Sequence, residues 1–358
     1  MGDLGALSGE LAEGWRRLAQ VSGRATPFQT FEWLAAWRAG VGRGGKLVVL
    51  ELRERAETVG IAPFVSRGKV WTLAGQGGSD YLDLLSAPGR ENEVCAALGA
   101  WLDAHKSRWA WLDLQQVRPG AAIESLPGVE AWPGETCPYL PLEPTWEDQR
   151  KAFGKKLRGN LGYYERALEK AHSLVLRLAT PETLDADMDA FFLLHQKRWR
   201  GRWMPGAFAS ERAREFHRAA ARNLLDAGML RLHLLELDGV VQAAIYCFHL
   251  GARTCYYLGG FEPTLARLSL GTVLTGRAIR HAIEADGARE FDFLRGDEPY
   301  KYKWGAQDRF NRRLVRTSGA AGAILAHGGR ALLAAELKAK HAMHARHGNA
   351  KHGGDKTT

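Results

Sequence analysis

Apolar and polar positions alternate with period two along KLVVLELRE (Lys46 to Glu54) and TVGIAPFV (Thr58 to Val65), which predicts a β-hairpin. VWTLAGQGGSDYLDLL (Val70 to Leu85) continues as further strand broken by a Gly-rich turn. The period then lengthens, predicting a helix from Glu91 to about His105, followed by the strand WAWLDL, Trp109 to Leu114. The same order recurs later. LRLHLLELDGVVQAAIYCFHLGARTCYYLGG (Leu230 to Gly260) reads as three antiparallel strands, turning at Asp238-Gly239 and Gly251-Ala252, because Asp-Gly supplies the positive φ of a tight hairpin. A helix from about Gly271 to Asp286 and a strand from Glu290 to Leu294 complete it. The recurrence of hairpin, strand, helix and strand predicts a duplicated α+β unit joined by a linking helix, with a boundary near Pro144.

Two segments between the repeats add candidate chemistry. RKAFGKKLRGNLGYYERALEKA (Arg150 to Ala171) carries five Lys/Arg between Arg150 and Arg158, either a solvated helix face or an edge facing a phosphate-bearing ligand. In the helix expected from about Leu184 to Trp199, Met188, Phe191, Phe192 and Leu194 recur at core-facing spacing. His195 and Arg198 fall three apart on another face, where they can line one groove. His195 reads equally as a partnered core histidine.

At 358 residues and 46% hydrophobic content the chain is long enough for two ordinary domains. The net charge of +9 suggests nucleic acid until it is divided. The Ala- and His-rich tail from Ser318 to Thr358 holds +4 of it, leaving +5 on the remainder. So weak an excess suits an anionic small ligand better than a duplex. The four cysteines, Cys95, Cys137, Cys247 and Cys255, lack CxxC spacing and a nearby histidine pair, so no metal site is expected. Cys247 and Cys255 lie in apolar strand runs and read as small buried hydrophobes. The tail's five histidines are irregularly spaced among glycines; a helix carrying Ile324, Leu325, Leu332, Leu333 and Leu337, with a disordered last dozen residues, is the expectation there. No leader-like opening and no apolar run of membrane-spanning length is seen, and a cytoplasmic location is the expectation.

The candidate chemistry is concentrated after Phe261. In FEPTLARLSLGTV a strand ends, a turn carries Arg267 and Ser269, and a helix begins near Gly271. A helix start offers unpaired N–H groups and a positive dipole end, so a phosphate or pyrophosphate fits against Ser269, Leu270, Gly271 and Thr272, with Arg267 as a charged contact. Ser269 reads equally as a simple N-cap. About 20 residues on, FDFLRGDEPYKYKWGA (Phe291 to Ala306) places two acids, two lysines and three aromatics just past a strand end. Asp297 or Glu298 is placed to accept a proton from an amine, and Lys301 to polarise a carbonyl or stabilise developing negative charge. The competing reading is a salt-bridged, aromatic-packed turn.

SLGTVL (Ser269 to Leu274) followed by FDFLRGDEPYKYKWGA resembles the CelD-like branch of the GNAT acyltransferase superfamily. FQTFEWLAAW (Phe28 to Trp37), SDYLDLL (Ser79 to Leu85) and LHQKRW (Leu194 to Trp199) resemble other marks of that family. The likeness spans roughly Phe28 to Val315. It implies tandem GNAT-like domains, each a mixed, mostly antiparallel sheet flanked by helices: residues 1–145, residues 146–317 with the linking helix, and a basic tail, 318–358. It also implies that the second domain binds the acyl donor, usually acetyl-CoA. The usual GNAT pyrophosphate loop is absent, and only Gly271 and the helix start at Thr272 remain of it. Tyr300-Lys301-Tyr302-Lys303-Trp304-Gly305 is similar to a motif of Fem-type peptidyltransferases, whose lysine near the transferred acyl group matches Lys301.

The expected activity is therefore N-acyl transfer from acyl-CoA to an amine on a small molecule, saccharide or peptide. Glu298 or Asp297 is the expected base, with Lys301 and Tyr300 on the oxyanion. A groove carrying Asp80, Tyr81, His195, Arg198 and Trp199 is expected to hold the acceptor. A Fem-like transferase using aminoacyl-tRNA on a cell-envelope precursor is the alternative, and a non-catalytic scaffold of the same fold is the third reading.

Overall fold

The computed structural model of the chain describes residues 9–200 and 206–331. Its first part runs α1 (Gly9–Val21), α2 (Phe31–Ala39), β1 (Lys46–Glu54), β2 (Glu57–Arg67), β3 (Val70–Leu73), β4 (Leu85–Ser86), α3 (Glu91–Ala104), β5 (Trp111–Val117) and β6 (Glu130–Thr136). It continues with β7 (Tyr139–Pro141), α4 (Trp146–Ala152), α5 (Lys155–Ala171), β8 (Leu174–Leu178), α6 (Leu184–Arg200) and α7 (Glu211–Asp226). The repeat of the first order then follows as β9 (Leu230–Leu237), β10 (Val240–Leu250), β11 (Arg253–Phe261), α8 (Leu270–Glu284) and β12 (Glu290–Asp292). A single helical turn, α9 (Pro299–Tyr302), and β13 (Phe310–Thr317) close the sequence of elements, and residues 319–331 are helical.

The expected duplication is present in hydrogen bonding as well as in order. In the first unit the hairpin β1–β2 pairs with β3, and the crossover through α3 lays β5 parallel to β3. In the second, β9–β10–β11 is an antiparallel meander, and the crossover through α8 lays β12 parallel to β11. Asp238 (φ +52°) and Gly239 (φ +79°) make the β9–β10 turn, both left-handed as an inverse type I turn requires.

The strands do not keep to the expected segments 1–145 and 146–317. Sheet order is β1-β2-β3-β5-β13-β6 in one sheet, with β4 beside β2, and β7-β12-β11-β10-β9-β8 in the other. β13 from the second segment is inserted between β5 and β6 of the first sheet, and β7 from the first segment flanks β12 in the second. The boundary near Pro144 is a boundary in sequence that each sheet crosses once. An alternating strand cannot announce this, because its hydrogen-bond partner is chosen by the sheet edge that is open.

Burial explains the layers. α3 covers the first sheet through Val94, Cys95, Leu98 and Leu102 against Phe64, Trp71 and Leu112. α5 and α8 cover one face of the second sheet through Leu161, Leu168, Val273, Leu274 and Ile279. Its other face is shared: Phe28 and Trp33 from the first segment meet Phe216 and Phe248 from the second, with Trp33 5.0 Å from Phe216 and 5.3 Å from Phe248 between ring centroids. One apolar core therefore runs through both segments. All four cysteines are buried.

Candidate active site

The two parallel strands of the second unit separate. β11 and β12 pair only at Arg253/Glu290, Thr254/Phe291 and Cys255/Asp292. Beyond these, β12 ends while β11 continues to Phe261, with a bulge at Tyr257 where Tyr246 and Cys247 of β10 face Leu258 and Tyr256. Leu294 then turns with φ +56° and Gly296 with φ +101°, carrying the chain away from β11. A wedge opens where residues 256–261 and 293–296 diverge, and α8 starts beyond its β11 edge after a short 3-10 segment, Pro263–Leu268.

Lys301 is the centre of the turn that shapes this wedge. Its ammonium donates to the carbonyls of Leu294 (3.1 Å), Arg295 (2.7 Å) and Gly296 (2.8 Å), and Glu298 lies 2.9 Å away. The residue is 2% exposed. An ammonium has three protons, and three successive carbonyls take them. Lys301 therefore holds the backbone and has no donor pointing at the wedge. Trp304 is buried beneath it, 5.5 Å from Phe153, so much of the aromatic-rich motif is a packed turn.

The wedge itself is lined by phenols. Tyr256 on β11 and Tyr300 on α9 lie side by side with ring centres 6.4 Å apart, and Glu298 and Arg198 lie close enough to act on both electrostatically. Burial pushes both phenols above the ordinary range, so they are neutral donors at physiological pH. A Cβ at Gly259 would collide with the Tyr256 hydroxyl, which is why β11 carries glycine there. Glu298 is half-exposed and Asp297 exposed. Tyr256 was not legible as a site residue: its signal was two adjacent tyrosines in an otherwise apolar strand.

α6 brings His195 and Arg198 to the same place. Gly260 leaves no room for a Cβ against the backbone of Leu194 and His195, so helix and strand are in close contact. Arg198 Nη1 donates to the Gly259 carbonyl (3.2 Å), and its guanidinium lies 5.5 Å from the Phe261 ring centre. His195 is buried among Phe191 and Phe208, and burial, then the charge of Arg198, lowers its pKa to about 4. Trp199 lies at the end of α6, and its side chain is outside the described part of the structure, as is the tail beyond residue 331.

Asp80 and Tyr81 are placed elsewhere. Both are buried in the joint between the segments. Asp80 forms an ion pair with Arg295, which also faces Glu135 at 3.5 Å; the Tyr81 hydroxyl donates to Asp292 (2.9 Å). Arg309 closes the network on Asp292 (2.9 Å) and Glu290 (2.6 Å). Burial raises the Asp80 carboxyl, opposed by Arg295. These groups tie the two segments together through buried ion pairs and hydrogen bonds.

At the other end of the wedge, Ser269 adopts the left-handed conformation (φ +56°) and makes no side-chain cap at the start of α8. A Cβ added to Gly271 meets only Phe261 Cδ1, at 3.8 Å. The space above Gly271 is therefore open, the cradle a pyrophosphate needs, and Arg267 is exposed beside it. The first unit has the same three-pair divergence of β3 and β5, but its own chain returns through it, with the Leu82 N–H donating to the Gln116 carbonyl. Asp83 is held there by the N–H groups of Leu84, Ala122 and Ile123.

Residues 155–302 match the family model of an acetyltransferase (GNAT) domain. Among solved structures, FemX is similar at 11% identity and a TM-score of 0.62, over 86% of this chain and 96% of that one. The C-terminal domain of a protein described as a lysylphosphatidylglycerol synthetase from Agrobacterium fabrum is similar at 13% identity and 0.58, over 88% and 94%. L-PGS from Bacillus licheniformis is similar at 12% identity and 0.51, over 82% and 94%. A comparison with curated proteins finds no match. At such identities the likeness is one of fold: two mixed sheets flanked by helices, in the GNAT arrangement.

Proposed function

We propose that this GNAT-type acyltransferase fold carries acyl groups from acyl-CoA, acetyl-CoA among them, to an amine of a small molecule, saccharide or peptide. The observation that supports it is the open wedge in the second unit, with the uncovered Gly271 at one end and the Tyr256, Tyr300, Glu298 and Arg198 group at the other. The donor's pyrophosphate would rest on the N–H groups of Gly271 and Thr272, with Leu270, Ser269 and Arg267 around it. Its thioester would extend into the wedge between β11 and the Lys301 turn.

The amine attacks the thioester carbonyl, the new C–N bond forming as the nitrogen gives its proton to Glu298, directly or through water. Collapse of the tetrahedral intermediate breaks the C–S bond, and the neutral Tyr300 phenol is the nearby donor for the departing thiolate. Asp297 stands beside Glu298 as the second exposed acid. In this reading Lys301 acts on the reaction by fixing the three carbonyls of residues 294–296, and His195 by packing α6 against β11. The CelD-like resemblance and a cytoplasmic location belong to the same proposal. No helix among the described residues is long and apolar enough to cross a membrane.

Calorimetric titration of the chain with coenzyme A tests the donor. Saturable binding that Gly271→Val weakens by about tenfold is expected, and absence of any coenzyme A binding at millimolar concentration sinks the proposal. A Fem-like, aminoacyl-tRNA-dependent transfer is the second reading. It is favoured by the near-complete overlap with FemX and by Lys155, Lys156 and Arg158, exposed at the first turn of α5. It requires tRNA binding that falls steeply with salt.

A further inference from the structure

The cations around the wedge are not equally matched. Lys301 faces Glu298 at 2.9 Å, Arg295 faces Asp80 and Glu135, and Lys197 faces Glu262 at 2.6 Å. Arg198 has no carboxylate partner among the described residues. Among the described residues it makes one hydrogen bond, to the Gly259 carbonyl, and its buried Nε meets no acceptor. A guanidinium held against an aromatic ring with a buried donor idle is costly unless an anion completes it. Arg is also the side chain best built to take a carboxylate or phosphate through two parallel bonds.

The position of the charge tells which anion. Arg198 stands on α6 against β11, its guanidinium over Phe261 and near Tyr256, Tyr300 and Glu298. The donor's phosphates are assigned to the α8 start, so a group bound at Arg198 belongs to the molecule entering from the α6 side. Building on the proposed acyl transfer, we propose that the acceptor is an anionic amine, whose carboxylate or phosphate is held by Arg198 while its amino group is presented to Glu298. Arg198 would then select among amines: the electrostatic field that attracts the anion repels a second cationic centre on the acceptor. An amine with a neutral remainder loses both bonds and leaves the guanidinium unpaired.

Thermal-shift titrations of the full chain separate this from its rivals. Phosphoethanolamine and β-alanine are the anionic probes, and ethanolamine is the matched amine without an anion. The anionic probes should stabilise the wild type saturably and ethanolamine should not. Arg198→Gln should weaken the anionic probes about tenfold or more, and Arg198→Lys should retain part of the effect. Equal stabilisation by all three amines, no stabilisation, or an effect unchanged in Arg198→Gln overturns the inference. Coenzyme A titration of Arg198→Gln identifies the source of the anion: affinity within about twofold of wild type is expected, and a tenfold loss would assign the guanidinium to the donor's phosphates instead. Should the wild type bind no coenzyme A yet keep Arg198-dependent stabilisation by the probes, the acyl-CoA reading falls and the anion site stands.

Discussion

Replacing Lys301 with methionine tests what the most distinctive motif of the chain is for. Methionine keeps the apolar stem and removes the ammonium, leaving the carbonyls of Leu294, Arg295 and Gly296 without the donor they share. Each such carbonyl costs about 1 kcal/mol or more when left unmet, so Lys301→Met should lose about 3–5 kcal/mol, roughly 4–7 °C in Tm for a chain of this size. Glu298→Gln is the matched control. That carboxylate is half-exposed, and its contact with Lys301 should contribute no more than about 1 kcal/mol. Glu298→Gln should therefore melt close to wild type while transfer falls by about 10²–10⁴. Melting by differential scanning calorimetry and thiol release from acetyl-CoA, read on the same samples, give both quantities. If Lys301→Met melts within about 1 °C of wild type and turnover is lost, the ammonium is chemical and the account of the turn is wrong.

Three further outcomes follow from the same geometry. Gly271→Ala should fold at least as well as wild type, since the position is helical and its Cβ meets open space, yet should raise the KM for donor; an unchanged KM would place the pyrophosphate elsewhere. Asp83→Asn should cost about 1–3 kcal/mol in urea unfolding, because the amide oxygen can accept from Leu84 and Ile123 but the NH2 would then face the Ala122 N–H. Burial lowers the imidazoles of His195 to about 4 and of His217 and His233 to about 3. The unfolded chain therefore takes up protons that the folded chain refuses, and stability present at pH 7 is lost as pH falls from about 6.5 toward 4. Asp83 and Asp292, raised to about 6, oppose this, and Glu290, lowered to about 2, adds to it. His217→Phe should recover about 2 kcal/mol of the loss between pH 7 and 5, and an unaltered pH slope would remove His217 from the account.

The regular elements that carry the duplication were legible because each has its own period and punctuation. The Asp238-Gly239 turn, the helix expected from Gly271 and the strand expected from Glu290 agree with the observed elements to within two residues at most of their ends. α2 has no legible stripe because apolar Phe31 and Ala35 lie opposite the face that Trp33, Leu34, Ala36 and Trp37 bury, so the sequence is apolar all round a helix of nine residues. β13 was missed for the opposite reason. FNRRLVRT reads as surface, but Arg313 pairs with the buried Asp113 and lies over the Trp111 and Trp132 rings, so charges occupy positions a pattern assigns to solvent. At the site, spacing located the wedge and the helix start but could not tell a lysine aimed at a substrate from one enclosed by carbonyls. Nor could it show that Asp80 and Arg295, 215 residues apart, consume one another's charge.

The reciprocal exchange of β7 and β13 also sets a timetable. β5 and β6 are made early, but the strand that must lie between them ends roughly 180 residues later, at Thr317. At a synthesis rate of about 5–20 residues per second, two bare sheet edges wait about 9–36 seconds for their partner. During that interval the nascent chain presents to its surroundings the same template for strand addition that the finished molecule conceals. A ribosome pausing anywhere in the second unit would lengthen this exposure without altering a single residue of the product.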